Sequence, residues 1–222
     1  MHARRPTDVR AVLFDFDETL VTLAADWPLI RHRVQKLARE YGIDAEPVAV
    51  IQGVVQVRDL LMNHPEAGID ALAATSFLKR AYGIIAEEEW VGLTGARVMD
   101  LGPEIIQTCY DWKKKVAVVS SNSHRVIVEA LEKFGFPPIP TIVSRDDVDE
   151  VKPDPEPILT ALQLLKVQPA HAIYVGNLDH DADAAFAAGV YPILLEVDSP
   201  WRGPLESPCA KVRDLHGIME YL

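Results

Sequence analysis

The sequence has few cysteines, and this scarcity limits how the chain can be stabilised. Cys109 and Cys209 are the two cysteines among 222 residues, too few for the disulfide framework of a small secreted scaffold. We expect both to be free thiols in a reducing compartment, although the sequence alone leaves a bond between them open.

Basic residues are also scarce relative to acidic ones. The chain has 22 Lys and Arg against 33 Asp and Glu, a formal net charge of −11. Binding to nucleic acid or to an anionic membrane needs clustered Lys and Arg, so we expect neither as a partner. A small anionic substrate is still allowed, because a metal and a few cations can reverse the local field.

Long hydrophobic runs are missing as well. No apolar stretch approaches the ~20 residues that a membrane-spanning helix needs. The opening residues, MHARRP, are basic, but no apolar segment follows them, so we expect no secretory signal. Together with the two expected free thiols, this favours a cytoplasmic protein.

The composition is that of a globular protein, and its apolar residues form short strand-like runs. Hydrophobic residues make up 49% and charged residues 25% of the chain, which is ordinary for a folded domain. Runs rich in apolar and β-branched residues predict buried strands at 9–14, 116–119, 141–143, 172–175 and 191–195. Helices are predicted at 103–112, 125–134, 157–166 and 214–222. This alternation predicts an α/β fold with a doubly wound parallel sheet.

A helical insertion is predicted between the first and second strands of this sheet. Helical spacing of apolar residues predicts helices at 31–42, 47–63, 69–82 and 86–91. Gly83 is the predicted stop of the third helix, and we find no convincing strand in the insertion. The expected organisation is a core formed by 1–21 and 96–222, with a small all-helical domain at 22–95.

Two acidic residues follow the first predicted strand directly. Asp15 and Asp17 are two positions apart, so in an extended chain their side chains point the same way. Carboxylates at the end of a buried strand are costly unless compensated, and hard oxygens suit a divalent cation such as Mg²⁺. In open α/β sheets this end of a strand is also where ligands bind. The pattern indicates a nucleophile and an acid/base beside a metal; a solvated surface turn is the alternative.

Small polar residues follow the second strand of the sheet, at the start of a predicted helix. They are Ser120, Ser121, Asn122 and Ser123. The backbone N–H groups of a helix N-terminus bind anions readily, so this stretch is a candidate anion site. It could also simply cap the helix, with Ser123 as the best cap, and the two interpretations are compatible.

Two further polar spots follow later strands. Lys152 precedes Pro153, which holds it extended, so its side chain either points inward or lies at the surface and offsets neighbouring acids. Gly176 allows close approach of the backbone. Asn177 and Asp181 then flank a turn into an Ala-rich helix.

These four spots resemble a known family in their order and setting. They read DFDET at 15–19, SSN at 120–122, KP at 152–153 and GNxxxD at 176–181. The arrangement resembles the haloacid dehalogenase superfamily, and within it the phosphatase-like members similar to phosphoglycolate phosphatases. The resemblance covers nearly the whole chain and implies a Rossmann-like core, with the helical insertion as the family's cap domain.

The resemblance implies three catalytic residues. Asp15 would be the nucleophile that attacks phosphorus and forms an aspartyl-phosphate. Asp17 would protonate the leaving oxygen and then deprotonate water, which requires a raised pKa at one step. Lys152 would neutralise charge around the nucleophile and the phosphate, because a dianionic phosphate repels a carboxylate.

Substrate binding is implied for the residues around these three. Thr19 would help to hold the first loop. Ser120 or Ser121 would bind the phosphoryl group, next to Asn122. The strand length favours Ser120 and the adjacent Asn122 favours Ser121, so the choice stays open.

A Mg²⁺ ion is the implied cofactor. Its ligands would be Asp15, the backbone carbonyl of Asp17, Asn177 and Asp181. Two residues depart from the family pattern: Glu18 stands where Gly is frequent, and Asn177 stands where Asp is common. An Asn carbonyl oxygen can bind Mg²⁺, but it brings less charge, so Asp181 would carry more of the site.

The implied function is a Mg²⁺-dependent phosphatase that hydrolyses a small phosphorylated metabolite. A haloacid dehalogenase is disfavoured because it needs neither a metal nor a second acid such as Asp17. A phosphomutase or phosphotransferase, and a catalytically weak binding or regulatory member, are also compatible with the motifs. Candidate contacts for a second anionic group, or else exposed helix charges, are Arg31, Arg33, Arg58 and His64. The oligomeric state stays open.

Overall fold

The computed structural model describes residues 4–44, 50–63, 71–196 and 209–222. The chain divides into two compact units. One consists of 1–23 and 96–222, and the other of 24–95.

The first unit is built on a parallel sheet. The strands of this unit are β1 (Ala11–Phe14), β2 (Val21–Thr22), β3 (Arg97–Val98), β4 (Lys115–Val119), β5 (Ile142–Val143), β6 (Ala172–Gly176), β7 (Tyr191–Leu195) and β8 (Ala210–Val212). In the described residues, six of them form one sheet in the order β5-β4-β1-β6-β7-β8, with every pairing parallel. β2 and β3 pair antiparallel.

The central strand places the polar residues of the sequence motifs at one edge of the sheet. β1 lies between β4 and β6, with Phe14 opposite Val118 and Val175. All four residues of β1 are buried, as expected for the apolar centre of a parallel sheet. Because the strands run parallel and in register, the residues that follow β1, β4 and β6 meet at the same carboxyl edge.

Helices cover both faces of this sheet. They are α4 (Gly102–Asp111), α5 (His124–Lys133), α6 (Glu156–Leu165) and α7 (Asp179–Ala187). The sheet face that carries Leu13, Val119 and Tyr174 packs against α6 and α7 in one buried cluster. The small side chains of α7, including Ala184 and Ala185, are fully buried there, which lets the helix backbone lie close to the strands.

The second unit is helical throughout its described residues. It contains α1 (Trp27–Glu40), α2 (Val50–Asn63) and α3 (Ala71–Gly92), and α3 packs against both other helices. The carboxylate of Asp26 caps α1 by accepting the N–H of Leu29 at 2.9 Å. Residues 47–49 of the second predicted helix and residues 69 and 70 of the third lie outside the described residues.

The structure corrects one secondary-structure prediction and adds three short strands. Gly83 does not stop a helix, because α3 runs through it to Gly92 and absorbs the piece predicted at 86–91; the buried positions Ala81 and Ile85 continue on either side and outweigh the helix cost of one glycine. The pair β2–β3 and strand β8 were missed, since two or three residues show no periodicity. The closing helix predicted at 214–222 is confirmed, as a 3₁₀ helix over Leu215–Tyr221.

The described residues contain neither a membrane-spanning helix nor a disulfide. Across the described ranges, no helix has both the length and the apolar character needed to cross a membrane. Cys109 and Cys209 do not form a disulfide. The open alternative of a bond between them is therefore excluded.

Candidate active site

Lys152 is the centre of the charged cluster at the carboxyl edge of the sheet. Its ammonium lies 2.7 Å from Asp15 Oδ1 and 2.5 Å from Asp181 Oδ1. It also donates to the hydroxyl of Tyr174 at 2.9 Å. The residue is 1% exposed, so the alternative of an ordinary surface lysine is wrong. Lys152 instead joins the ends of β1 and β6 through buried contacts.

The loop before α6 directs Lys152 inward. The carboxylate of Glu156 accepts the backbone N–H groups of Asp149 and Glu150 at 3.2 and 2.8 Å. The N–H of Asp154 donates to the Val151 carbonyl at 2.9 Å. These bonds fix the loop on both sides of Lys152, which makes its position part of the fold.

Both carboxylate oxygens of Asp181 accept hydrogen bonds from groups of the protein. Its Oδ1 accepts from Lys152, and its Oδ2 accepts the backbone N–H groups of Asn177 at 3.1 Å and Leu178 at 3.0 Å. A Cβ atom at Gly176 would lie 2.5 Å from Asp181 Oδ2, so glycine is needed at that position. In this arrangement Asp181 holds the lysine and the turn; its role as a direct metal ligand stays a prediction.

Tyr174 is a member of the cluster that sequence reasoning missed. Its hydroxyl accepts from Lys152 and lies 3.0 Å from the Val119 carbonyl and 3.2 Å from Asp181 Oδ1. The side chain is completely buried. The one signal in the sequence was a tyrosine inside an otherwise apolar strand, since a buried hydroxyl needs a polar partner.

The cluster shifts the pKa values of its two carboxylates, Asp15 and Asp181, in opposite directions. Burial raises the pKa of Asp15 to about 6, and the charge of Asp181 adds to this while Lys152 acts in the opposite direction. Burial also works to raise the pKa of Asp181, but Lys152, His180 and the backbone N–H groups outweigh it, and the pKa is lowered. For Lys152, the two carboxylates outweigh burial and raise the pKa. One ammonium therefore serves two acids, and Asp15 holds its proton more tightly.

Two oxygens beside this cluster are suited to a divalent cation. Asp15 Oδ2 and Asn177 Oδ1 each lie 3.4 Å from the hydroxyl of Thr19, so all three face one spot. Asn177 is 1% exposed, and its Nδ2 donates to Glu18 at 2.9 Å. Within the described residues no group of three or more His, Cys, Asp and Glu is arranged to hold a metal. A cation here would rely on amide and backbone oxygens besides Asp15, and hard oxygens of this kind fit Mg²⁺.

Asp17 has a different environment from Asp15. It is half-buried, and its Oδ1 accepts the backbone N–H of Leu23 at 2.8 Å. Asp17 also forms a β-bridge with Val21. The bond to Leu23 fixes the carboxyl group next to the turn, and its role as acid and base stays a prediction.

The polar stretch after β4 forms its own hydrogen-bond network. Ser120 Oγ donates to Asn122 Oδ1 at 2.8 Å, whereas Ser121 Oγ is buried with no partner among the described residues. The buried Arg145 donates to the Ser121 carbonyl at 2.8 Å, a support that the sequence did not reveal. Both serine hydroxyls stay candidates for phosphoryl oxygens; turning Ser120 toward a ligand would break its two hydrogen bonds with Asn122, and turning Ser121 would break none.

The helix that follows is capped differently from the prediction. Ser123 is the N-cap residue of α5, but its side chain makes no capping hydrogen bond. Instead, Asp146 Oδ2 accepts the N–H of His124 at 2.8 Å. A carboxylate from the short 3₁₀ helix Arg145–Asp147 thus satisfies one of the free donors at the start of α5.

Two of the candidate anion contacts of the helical unit, Arg33 and Arg58, are engaged within that unit. Arg33 pairs with Glu88 at 2.7 Å and Glu87 at 2.8 Å. Arg58 pairs with Asp59 at 2.7 Å. The Nε atom of Arg31 is buried, and His64 lies outside the described residues.

Comparison with known proteins identifies a family match and several relatives. A family model of haloacid dehalogenase-like hydrolases matches residues 12–195. The phosphoglycolate phosphatase (plasmid) of Cupriavidus necator is 28% identical over 196 residues, covering 83% of this chain and 79% of that protein. The pyrophosphatase PpaX of Oceanobacillus iheyensis is 26% identical over 188 residues, covering 82% of this chain and 81% of that protein.

A likeness to solved structures supports the fold. The crystal structure of a hydrolase from Pseudomonas syringae superposes with a TM-score of 0.66 at 18% identity, covering 95% of this chain and 96% of that one. At this identity the likeness shows a shared architecture. It agrees with the parallel sheet flanked by helices described above.

Proposed function

Because the chain belongs to the haloacid dehalogenase-like hydrolase family, we propose that it is a Mg²⁺-dependent phosphatase acting on a small phosphorylated metabolite. The observation that carries this proposal is the state of Asp15. One carboxylate oxygen is held by Lys152 at 2.7 Å. The other lies 3.4 Å from the hydroxyl of Thr19. A carboxylate that an ammonium orients at one oxygen, with a long hydroxyl contact at the other, is arranged as a nucleophile.

Asp15 would attack phosphorus and form an aspartyl-phosphate. The P–O bond to the leaving group breaks as the Asp15–P bond forms, and water then attacks phosphorus and frees the carboxylate. Lys152 offsets part of the repulsion between the carboxylate and the phosphate dianion, because its ammonium is already within 2.7 Å of Asp15.

Asp17 would move the proton in both steps. It would protonate the leaving oxygen first and then remove a proton from the attacking water. Its carboxyl group is fixed by the Leu23 N–H at 2.8 Å, so it would not need to be ordered during the reaction. Fixed positioning and charge neutralisation are the main requirements of phosphoryl transfer.

A Mg²⁺ ion would be held by Asp15, Asn177 and the Asp17 carbonyl, with Asp181 as the remaining predicted ligand, and when bound it would supply positive charge for the phosphoryl oxygens. The serine-rich stretch after β4, including Ser120 and Ser121, would bind the remaining phosphoryl oxygens. Nucleic acid and membranes do not fit as partners of an acidic chain with a net charge of −11. Two cysteines without a disulfide fit a reducing compartment, and we propose the cytoplasm as the location of the protein.

The test is a phosphate-release assay on the full chain with a panel of phosphorylated metabolites. The panel includes phosphoglycolate and pyrophosphate, after the names of two relatives. We expect release by the wild type with Mg²⁺, little release with EDTA, and none by Asp15→Asn. Equal hydrolysis by the wild type and by Asp15→Asn would refute the nucleophile assignment.

The same samples separate this function from the competing ones. Halide release from 2-haloacids without Mg²⁺ would identify a dehalogenase. A requirement for a bisphosphate activator would identify a phosphomutase. Failure to turn over any panel member or p-nitrophenyl phosphate at any Mg²⁺ concentration would favour a binding or regulatory role.

A further inference from the structure

Glu18 and Asn177 are the two departures from the family pattern, and in the structure they contact each other. Asn177 Nδ2 donates to Glu18 Oε2 at 2.9 Å. The two residues are 159 positions apart in the chain. Glu18 follows β1 and Asn177 follows β6, so the contact bridges the loops at the carboxyl edge of the sheet.

Glu18 is held in a backbone conformation that does not favour a glutamate. Its φ is +59°, in the left-handed region where side chains other than Gly, Asn and Asp are uncommon. The turn is closed by the Glu18 N–H, which donates to the Val21 carbonyl at 2.7 Å. A glutamate in this position costs conformational energy, so its side chain is the feature to explain.

The contact fixes which end of the Asn177 amide faces the site. A carboxylate only accepts hydrogen bonds, so it pairs with the NH₂ end of an amide and repels the carbonyl end. With Nδ2 on Glu18, Asn177 Oδ1 lies 3.4 Å from the Thr19 hydroxyl, which itself lies 3.4 Å from Asp15 Oδ2. The reverse orientation would present NH₂, which cannot bind a cation, to this spot. An aspartate at 177 would offer an oxygen either way and would need no such control.

We propose that Glu18 is a positioning residue that holds the Asn177 amide with its carbonyl oxygen toward Asp15, so that Asn177 serves as a cation ligand. The inference rests on the proposed function, because it concerns the same Mg²⁺ site. It explains why a half-buried glutamate occupies a left-handed turn beside an asparagine. It also gives the two sequence departures one joint cause.

The experiment is a double-mutant cycle read out by metal binding. Mn²⁺ affinity is measured by electron paramagnetic resonance of the free ion, with Mg²⁺ as competitor and no substrate present. The four proteins are the wild type, Glu18→Gln, Asn177→Asp and the double variant. Glutamine keeps the size of Glu18 but can donate as well as accept, so it no longer selects one end of the amide.

We expect the effect of Glu18→Gln to depend on the residue at 177. With Asn177 present, the change should weaken Mn²⁺ binding about tenfold, as loss of a partner that orients a ligand does. With Asn177→Asp, the same change should weaken binding much less, because either oxygen of the new carboxylate can face the cation and only the charge of Glu18 is lost. A residue that only supports the turn would give an equal loss in both backgrounds.

Glu104→Gln is the matched control. It removes one negative charge from α4, outside the cluster, and should leave Mn²⁺ affinity unchanged. An unchanged affinity in Glu18→Gln, or an equal loss in both backgrounds, would overturn the positioning role while leaving the phosphatase proposal intact. A wild type that binds no Mn²⁺ would overturn both the positioning role and the metal requirement. Circular dichroism of each variant checks that it is folded.

Discussion

The edge of the sheet and the helical unit both contain close ion pairs, but in opposite surroundings. Lys152 and Asp15 are 2.7 Å apart with side chains 2% and 9% exposed. Arg33 and Glu87 are 2.8 Å apart with side chains 35% and 67% exposed. The distances are nearly equal, so distance does not distinguish the two pairs. What differs is whether water can replace a lost partner.

This difference determines what each pair contributes. An exposed pair contributes little, because water and salt already stabilise both charges. A buried pair contributes strongly only as a complete set, since removing one member leaves an uncompensated charge in a poorly solvated place. Lys152 serves two carboxylates, Asp15 and Asp181, so the set at the sheet edge has no spare cation among the contacts described.

Replacing the central ammonium should have the largest effect. Lys152→Met keeps the aliphatic stem but leaves Asp15 and Asp181 facing each other, so we expect a loss of about 3–5 kcal/mol in the free energy of unfolding. Turnover should fall by about a hundredfold or more, as for loss of a pre-organised electrostatic partner. Urea denaturation and phosphate release measure the two effects.

Lys115→Met is the control for this change. Lys115 is exposed, and its ammonium donates to the Leu165 carbonyl at 2.6 Å. We expect less than about 1 kcal/mol from its removal, as for most surface substitutions. Similar losses for the two lysines would contradict the comparison between buried and exposed charges.

The raised pKa of Asp15 gives the next largest effect, which depends on pH. A carboxyl group that holds its proton more tightly in the folded state stabilises the fold at low pH, and this contribution is lost as pH rises. Because the pKa is about 6 against the usual 3.8, the loss runs from about pH 4 to above pH 6 and amounts to about 3 kcal/mol. Asp15→Asn cannot titrate, so its stability relative to the wild type should increase over that range.

Urea denaturation in EDTA at pH 4 to 8 measures this difference. The lowered pKa of Asp181 acts in the opposite direction, but Asp181 is present in both proteins and its contribution largely cancels. A difference between the wild type and Asp15→Asn that does not change with pH would show that burial does not control Asp15.

The sequence predicted the sheet well where strands are buried and long enough to show a pattern. β1, β4, β6 and β7 lie within or close to the predicted runs. A run of four or five apolar residues between turns is short for a helix, so it indicates a buried strand. The two-residue strands β2 and β3 gave no such pattern. Gly83 was misread because a local propensity of about 1 kcal/mol is overridden by packing on both sides of it.

The residues of the cluster could be named from the sequence, but their partners could not. Motif order indicated Asp15, Lys152 and Asp181 as neighbours, and the structure places them in contact. Hydrogen bonds between distant positions leave no pattern in a single sequence. For that reason Tyr174 was missed, and so was the saturation of Asp181 by backbone N–H groups.

Removing the Tyr174 hydroxyl tests how much its hydrogen bonds stabilise the cluster. Tyr174→Phe takes an acceptor from Lys152 and a donor from the Val119 carbonyl. We expect a loss of about 1–3 kcal/mol in the free energy of unfolding, because buried groups are left without a partner. Tyr110→Phe is the matched control: its hydroxyl donates to the Pro138 carbonyl at 2.8 Å near the surface, where water can take its place. Equal losses for the two tyrosines would show that burial is not the cause.

The smallest effect should come from the exposed pair of the helical unit. Arg33→Gln removes the cation from Glu87 and Glu88, and we expect a change below about 1 kcal/mol. In 1 M NaCl the screening length falls to about 3 Å, so the difference between Arg33→Gln and the wild type should shrink toward zero. Salt screens buried charges far less, so the loss in Lys152→Met should persist at the same salt concentration. If salt removed both differences equally, the two pairs would share one environment, and the contrast between the sheet edge and the helical unit would fail.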